Sequence, residues 1–214
     1  MAELSDMKAI VEPGRELTDE QILRYSRHLL IPDIDNLGQR RINNAKVLCV
    51  GAGGLGSPTI MYLAAAGVGT IGIVDYDKVE MSNLQRQVIH GQSDIGKSKA
   101  ESAKEKVAEL NPDVKVLLHE VRLEESNAIS IMQGYDLIID CTDNFATRYL
   151  INDAAALVNK PYIWGSIYQF DGQASVFWSK VGPCYRCIHP TPPPIGSVPT
   201  CAEGGVLGAI CASI

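Results

Sequence analysis

A glycine-rich turn between an apolar strand and a helix constrains the fold of this chain more than any other feature. Residues 51–56 read GAGGLG, the spacing G-x-G-x-x-G, directly after an apolar run and directly before a helical pattern. In this context Gly51 permits a tight turn, Gly53 lets a phosphate approach the backbone, and Gly56 lets helix and strand pack closely. We therefore predict a nucleotide-binding turn, which also includes Gly54.

The rest of the pattern alternates strands with helices. An apolar strand at 47–50, the glycine-rich turn, a helix at 55–66 and a strand at 70–75 form one βαβ unit, for which a right-handed crossover is expected. The later predicted elements are a helix ending near 110, strands at 114–119 and 136–141, helices at 126–132 and 147–158, and antiparallel strands at 162–167 and 173–178. This order predicts an α/β fold with a Rossmann-like, mostly parallel sheet, helices on both faces and an antiparallel C-terminal extension.

Length and end signals predict one domain. With 214 residues, 46% of them hydrophobic, the chain can bury one core but is short for two domains. Residues 1–16 are polar, so we expect a flexible N-terminal arm, and residues 17–214 are expected to form the nucleotide-binding domain, beginning with a helix at 17–30. The pattern at 205–214 is that of a buried helix without a stop signal, so we expect this domain to be incomplete at its C-terminus.

Charge and hydropathy argue against two classes of partner. The formal net charge of -6 and the pI near 5.2 provide no attraction for nucleic acid. No run approaches the roughly 20 apolar residues of a membrane span, and residues 1–16 carry charges where a signal peptide has its apolar core. We therefore expect a cytoplasmic protein, away from membranes, whose six cysteines are reduced rather than paired in disulfides.

Charged residues beyond the glycine-rich turn indicate which nucleotide binds. Asp75 ends the second predicted strand, where a carboxylate can accept hydrogen bonds from a ribose. A triphosphate needs more cations than a helix N-terminus offers, and Arg86 and Lys99 can supply them. Asp140 and Asp143 follow a parallel strand at the sheet edge where such folds bind ligands, and a carboxylate there can hold Mg²⁺. Together these residues favour ATP.

Seven motifs carry a family resemblance. From about Leu17 to the last residue the chain contains, in order, RYSRH, GAGGLG, IVDYDKVEMSNLQRQ, DIGKSKA, DCTDN, CYRC and TCAEGGV. It resembles the ubiquitin-activating enzyme superfamily, specifically the bacterial molybdopterin-synthase and thiamine sulfur-carrier adenylyltransferases, and among them the actinobacterial type that usually carries an appended rhodanese domain. The resemblance implies nucleotide contacts from residues of four motifs: Gly51, Gly53, Gly54, Gly56, Asp75, Asp77, Ser82, Asn83, Arg86, Lys99, Asp143 and Asn144.

The same resemblance implies a reaction and its partners. Asn83, Arg86 and Lys99 would handle the phosphates, with Asp143 linked to Mg²⁺. The terminal glycine carboxylate of a ubiquitin-like sulfur carrier ending in Gly-Gly would attack the α-phosphorus of ATP. Pyrophosphate leaves, and a sulfur nucleophile from a rhodanese domain or another sulfurtransferase later attacks the acyl-adenylate. The family inserts an arginine from the partner subunit, which maps onto Arg27, so a homodimer is implied. An ordinary surface arginine is the alternative for that position.

The cysteines fall into three groups. Cys184 and Cys187 have the C-x₂-C spacing of half a zinc site, and in the family the second pair lies beyond residue 214, so zinc is expected in an intact parent but not in a complete site here. Cys201 aligns with a cysteine that some relatives use to form a thioester or a disulfide-linked intermediate with the carrier, whereas a small apolar core residue is the alternative. The remaining three lie in apolar runs and are predicted to be core residues: Cys49, Cys141 and Cys211.

Three other functions share parts of this pattern. A nicotinamide-dependent dehydrogenase would use the glycine-rich turn and Asp75, but it would give Arg86 and Lys99 no purpose. A tRNA-modifying dehydratase of the same superfamily would need a basic face, which the acidic composition argues against. A catalytically silent subunit of a heterodimer would typically lack the phosphate-handling Arg86 and Lys99, and this chain keeps both.

Overall fold

One sheet of six strands organises the described part of the chain, residues 9–194 and 204–214 of a computed structural model. The strands are β1 (Lys46–Val50), β2 (Thr70–Val74), β3 (Lys115–His119), β4 (Leu137–Asp140), β5 (Tyr162–Tyr168) and β6 (Asp171–Phe177). Their order is β3-β2-β1-β4-β5-β6; the first five are parallel and β6 is antiparallel to β5. The predicted sheet and its antiparallel extension are confirmed.

Helices cover both faces of this sheet. They are α1 (Asp19–Arg24), α2 (Ser26–Leu29), α3 (Asp35–Asn44), α4 (Gly56–Ala66), α5 (Lys99–Leu110), α6 (Ala128–Met132), α7 (Phe145–Leu157), α8 (Tyr185–Ile188) and α9 (Gly208–Ser213). Successive side chains of β1 alternate between the faces. Val47 and Cys49 join a cluster with α4 and α5, whereas Leu48 and Val50 join one with α6 and α7. None of the described helices is long and apolar enough to cross a bilayer.

The N-terminal region differs from the prediction in two ways. The helix expected at 17–30 is broken at Tyr25, whose ring is buried and whose hydroxyl accepts a hydrogen bond from Asn111 Nδ2 at 3.0 Å. Helix α3 was not predicted at all, because its sequence DNLGQRRINN has too few apolar residues to show a helical stripe. It is anchored instead by the buried Gln39, whose Nε2 donates to Ala66 O at 2.9 Å.

Part of the segment expected to be a flexible arm is hydrogen-bonded to α3. Gly14 N donates to Arg40 O at 3.1 Å, and the Arg40 guanidinium donates to Gly14 O at 2.8 and 3.0 Å. Asn44 Nδ2 also donates to Glu12 O at 3.0 Å. Residues 12–14 therefore contact the domain through these hydrogen bonds, and residues 1–8 lie outside the described part of the chain.

The strand order places a ligand-binding crevice at one edge of the sheet. β1 pairs with β2 on one side and with β4 on the other, so the chain changes direction across the sheet at this point. In open α/β sheets ligands bind outside the carboxyl ends of the strands at such a switch point. The segments that follow β1, β2 and β4 meet there.

Candidate functional site

A cavity of about 850 Å³ opens at the carboxyl ends of β1, β2 and β4. Its volume lies within the range typical of ligand pockets, roughly 300–1,000 Å³. Nine of the residues predicted to contact nucleotide line it: Gly51, Gly53, Gly54, Asp75, Asp77, Arg86, Lys99, Asp143 and Asn144. Residues from four separate motifs, spread over more than 90 positions of sequence, are thus brought to one cavity.

The glycine-rich turn forms the floor of the cavity. Gly51 has a φ of 99°, a conformation that favours glycine, and its N–H donates to Val74 O at 2.8 Å. A Cβ atom at Gly53 would have only the end of the Gln87 side chain nearby, at 3.5 Å, so the backbone there is open to the cavity. This geometry suits the close approach of a phosphate to backbone N–H groups.

Asp75 links the end of β2 to this turn. Its Oδ2 accepts from Ala52 N at 2.8 Å, and its Oδ1 accepts from Asp77 N at 2.9 Å. Burial raises the pKa of Asp75 above its usual value, and the two backbone hydrogen bonds oppose that rise. The carboxylate therefore holds the turn and also borders the cavity, where a hydroxyl can reach its remaining lone pairs.

Lys99 is a buried cation at the cavity. Lys99 is the first residue of α5, behind the N-cap Ser98, and its Nζ lies 2.9 Å from Asp77 Oδ2. Its backbone N–H also donates to Asp77 O at 2.9 Å. The lysine side chain is 9% exposed and that of Asp77 is 52% exposed, so the carboxylate is the more solvent-accessible partner. An incoming phosphate can take its place beside a lysine that is already positioned.

Arg86 reaches the cavity from a loop that Ser82 and Asn83 shape. Arg86 Nη1 donates to Ser82 O at 3.1 Å, and the buried Asn83 accepts from Glu80 N at 3.0 Å. Ser82 is exposed and donates to the Glu80 carboxylate at 3.3 Å. Neither Ser82 nor Asn83 lines the cavity. In this structure they support the loop that carries Arg86 and do not border the cavity.

The two candidate magnesium carboxylates have different environments. Asp143 is exposed and lines the cavity, whereas Asp140 is 1% exposed and does not. Asp140 Oδ1 accepts from the backbone N–H and the hydroxyl of Thr142, at 2.9 and 2.7 Å. Asn144 accepts from Thr147 N at 2.9 Å and so caps α7. Asp143 is thus the carboxylate that a cation in the cavity can reach, and Asp140 supports the turn beneath it.

The burial of Asp140 predicts a pH-dependent stability. Burial raises the pKa of Asp140 to about 6, so the folded state holds this proton more tightly than the unfolded state, whose pKa is about 3.9. The contribution of Asp140 to the free energy of unfolding is therefore greatest below about pH 4 and falls as pH rises to 6, by roughly 2–3 kcal/mol in all. Urea unfolding between pH 4 and 7 should show this fall in the wild type and not in Asp140→Asn. Parallel pH curves for the two proteins would contradict it.

Besides Ser82 and Asn83, four other predicted site residues lie away from the cavity. Gly56 packs against Gly51 beneath the turn, and Arg27 is exposed on α2. Cys184 and Cys187 lie with their Sγ atoms 3.7 Å apart, and within the described residues no group of three or more metal-ligating side chains occurs. Two ligands do not complete a tetrahedral zinc site.

The remaining cysteines divide as follows. Cys201 lies outside the described residues. The predicted core positions Cys49, Cys141 and Cys211 are buried, and burial raises the pKa of the Cys49 thiol to about 12. A thiol with so high a pKa is a poor nucleophile. The prediction that these three are core residues is confirmed, although Cys141 and Cys211 also border the cavity.

Sequence reasoning missed several residues that line the cavity. Arg122 lies over the ring of Tyr76, with its Cζ 5.3 Å from the ring centroid, and donates to the Tyr76 hydroxyl at 3.1 Å. Gln87 and Arg148 are buried, and the Gln87 Oε1 and Arg148 Nε atoms have no hydrogen-bond partner within the described structure. Gln87 belongs to a quoted motif, but nothing in the spacing distinguishes it from its neighbours. Arg122 follows β3, and Arg148 lies in the first turn of α7. Only the order of the strands in the sheet brings these two residues to the cavity.

The family follows from a comparison with known proteins. A family model described as the ThiF family matches residues 25–214. The chain belongs to the ThiF family. This ThiF-family chain is 61% identical over 214 residues to the "Probable adenylyltransferase/sulfurtransferase MoeZ" of Mycobacterium tuberculosis, covering 98% of this chain and 55% of that relative. It is 50% identical over 202 residues to the "Sulfur carrier protein adenylyltransferase" of Thermus thermophilus, covering 92% of this chain and 74% of the relative.

Solved structures show the same fold for this ThiF-family chain. A crystal structure of E. coli MccB with MccA-N7isoASN aligns with a TM-score of 0.71 at 24% identity, covering 89% of this chain and 62% of that one. A structure of PaaA aligns with a TM-score of 0.73 at 22% identity, and the alignment covers 99% of this chain and 66% of the PaaA chain. The chain spans about half the length of the first curated relatives it matches.

Proposed function

We propose that this chain is an ATP-dependent adenylyltransferase that activates the C-terminal glycine carboxylate of a ubiquitin-like sulfur carrier. One observation carries the proposal: the fold brings Arg86, Lys99 and Asp143 around the same cavity as the glycine-rich turn. These two cations and the accessible carboxylate of Asp143 suit a triphosphate with its metal ion, and a dinucleotide would not require them. The names of the M. tuberculosis and T. thermophilus relatives support this activity.

The geometry suggests how ATP would lie in the cavity. The ribose hydroxyls would approach Asp75, and the phosphates would cross the turn at Gly53 and Gly54 toward Lys99 and Arg86. Lys99 would exchange its contact with Asp77 for a phosphate oxygen. Two aligned cations lower the negative charge that would otherwise repel an attacking carboxylate. In this arrangement Ser82 and Asn83 act through the loop of Arg86.

Asp143 fits the role of a magnesium ligand. Mg²⁺ usually keeps several waters and takes only one or two carboxylates together with substrate phosphates. Asp143 is exposed at the cavity wall, and Asn144 beside it borders the same space. When bound, the ion supplies charge neutralisation on the phosphates. The residues of the chain then align the carrier carboxylate with the α-phosphorus, pyrophosphate leaves, and an acyl-adenylate remains.

The protein partners belong to the same proposal. The carrier would end in Gly-Gly, and the product would accept sulfur from a rhodanese-type or other sulfurtransferase, in cofactor biosynthesis. Arg27 is exposed and outside the cavity of its own subunit, so a role in catalysis requires a homodimer in which it enters the site of the partner. Cys201 would be a nucleophile toward the activated carrier, and Cys184 with Cys187 would supply half of a zinc site.

Pyrophosphate exchange tests the proposed function directly. The chain is incubated with labelled pyrophosphate, ATP, Mg²⁺ and a carrier protein ending in Gly-Gly, and label in ATP is measured. Wild-type chain should exchange, and Asp143→Ala should lose about tenfold to a hundredfold because the metal keeps its phosphate and water ligands but loses its protein carboxylate. Asp33→Ala is the matched control, since Asp33 is exposed and outside the cavity. Carrier-independent exchange, or none in the wild type, would contradict the proposal.

A further inference from the structure

A buried histidine connects the glycine-rich turn to α5 from behind. His90 is 6% exposed and does not line the nucleotide cavity. Its Nε2 lies 3.0 Å from Ala52 O, in the glycine-rich turn, and its Nδ1 lies 2.8 Å from Ser102 Oγ, on α5. Both ring nitrogens therefore have partners on separate elements that carry nucleotide-facing groups.

The partners determine the tautomer of His90. A backbone carbonyl can only accept a hydrogen bond, so Nε2 must carry the proton that is donated to Ala52 O. Nδ1 is then the acceptor of the hydrogen bond that the Ser102 hydroxyl donates. Burial lowers the pKa of His90 below its usual value, and the nearby positive charge of Lys99 lowers it further, against the hydrogen bond to Ala52 O. His90 is thus neutral, with the proton on Nε2.

These contacts close a circuit of hydrogen bonds. The Ala52 N–H donates a hydrogen bond to Asp75 Oδ2, and Asp75 Oδ1 accepts one from Asp77 N. The Asp77 carboxylate in turn accepts a hydrogen bond from Lys99 Nζ. Lys99 and Ser102 lie on the same helix, one turn apart. The His90 ring is hydrogen-bonded to Ser102 through Nδ1 and to Ala52 O through Nε2, which completes the circuit. The circuit has two routes between the turn and α5, one through carboxylates at the mouth of the cavity and one through His90.

We propose that His90 is a positioning residue, which holds the glycine-rich turn at the distance from α5 at which turn and Lys99 bind the same triphosphate. When a phosphate displaces the Asp77 carboxylate from Lys99 Nζ, that route keeps only the backbone hydrogen bond from Lys99 N to Asp77 O, whereas the His90 route stays complete and keeps the two elements in register. The consequence for ATP rests on the proposed function, whereas the position of the turn does not. His90 itself touches no part of the nucleotide.

His90→Phe tests this inference in the free protein and in the reaction. The variant loses both hydrogen bonds, so the Ala52 amide, measured by NMR hydrogen exchange without nucleotide, should exchange about fivefold to tenfold faster. In pyrophosphate exchange the KM for ATP should rise by a similar factor while that for the carrier stays constant. His90→Gln should restore most of both values, because its amide NH₂ can donate to Ala52 O in place of Nε2.

A second histidine provides the matched control. His119→Phe removes a 2.7 Å hydrogen bond to Tyr135, in the cluster on the other face of the sheet, and should leave Ala52 exchange and the KM for ATP unchanged. Unchanged Ala52 exchange in His90→Phe, or no rescue by His90→Gln, would overturn the inference. If the wild type shows no pyrophosphate exchange, the proposed function fails, and the amide measurement still decides the role of His90.

Discussion

Lys99→Ala is expected to lower pyrophosphate exchange by about a hundredfold to a thousandfold. Lys99 is a buried cation at the cavity, and its Nζ is held at 2.9 Å from Asp77 at the start of α5. A prepositioned charge in a poorly solvated site stabilises developing negative charge without reorganisation, and removal of one such donor commonly costs this factor. Initial rates at saturating ATP, Mg²⁺ and carrier measure the loss in kcat.

Two comparisons make this prediction specific. Lys104→Ala removes an exposed lysine of the same helix, 48% exposed and outside the cavity, and should retain full activity. In a homodimer that shares its sites, Lys99→Ala mixed with Arg27→Ala should recover about a quarter of wild-type activity, because half of the dimers regain one intact site. Equal activity of Lys99→Ala and Lys104→Ala would reject the role of Lys99. Failure of the mixture alone would reject only the contribution of Arg27 from the partner.

Gly56→Ala is expected to prevent stable folding. A Cβ atom at this position would lie 2.0 Å from Gly51 O and 2.9 Å from Gly51 C. Both contacts are with backbone, so relief requires α4 to move away from β1 at the centre of the sheet, where Ile60 and Cys49 are packed without exposure. A methyl group forced against the backbone in this tightly packed core should lower the free energy of unfolding by at least about 3 kcal/mol.

Urea unfolding followed by circular dichroism measures this effect. The matched control is Gly182→Ala, because a Cβ atom there meets nothing within 4 Å, and its unfolding midpoint should stay within error of the wild type. A Gly56→Ala protein that unfolds at the wild-type midpoint would show that the turn and α4 can separate without cost. The close approach of helix and strand would then not be what requires glycine in this motif.

The match between sequence and structure is best where a pattern has one physical cause. The apolar strands and the glycine-rich turn were predicted within one or two residues, because burial of β1, β2 and β4 on both faces demands apolar runs and the turn demands glycine. The predictions were poorest where tertiary contacts outweigh local preference. The helix breaks at Tyr25, whose buried hydroxyl is hydrogen-bonded to Asn111. Helix α3 depends on the buried Gln39, and its sequence contains no apolar stripe from which a helix could be predicted.

The candidate site divides in the same way. Motif residues such as Lys99 and Asp143 were expected to meet, since the carboxyl ends of parallel strands share one sheet edge. Strand position alone treated Asp140 and Asp143 alike, and only the family resemblance implied Asp143 for the magnesium ion. The sequence also grouped Ser82 and Asn83 with the nucleotide contacts. Two or three residues of spacing cannot tell which side chain points into a cavity and which is buried under a turn.

The sequence by itself determined the class of fold, the family and the set of charged residues available for a triphosphate, because strand burial, turn geometry and motif order are properties of neighbouring residues. Only the tertiary structure decided which of those charges face the cavity. It separated Asp143 from Asp140 and placed Arg122 beside Tyr76. It also brought His90 behind the turn, 38 positions after the carbonyl that it holds. These are contacts across the fold, and their energies depend on distance and burial that local sequence does not encode.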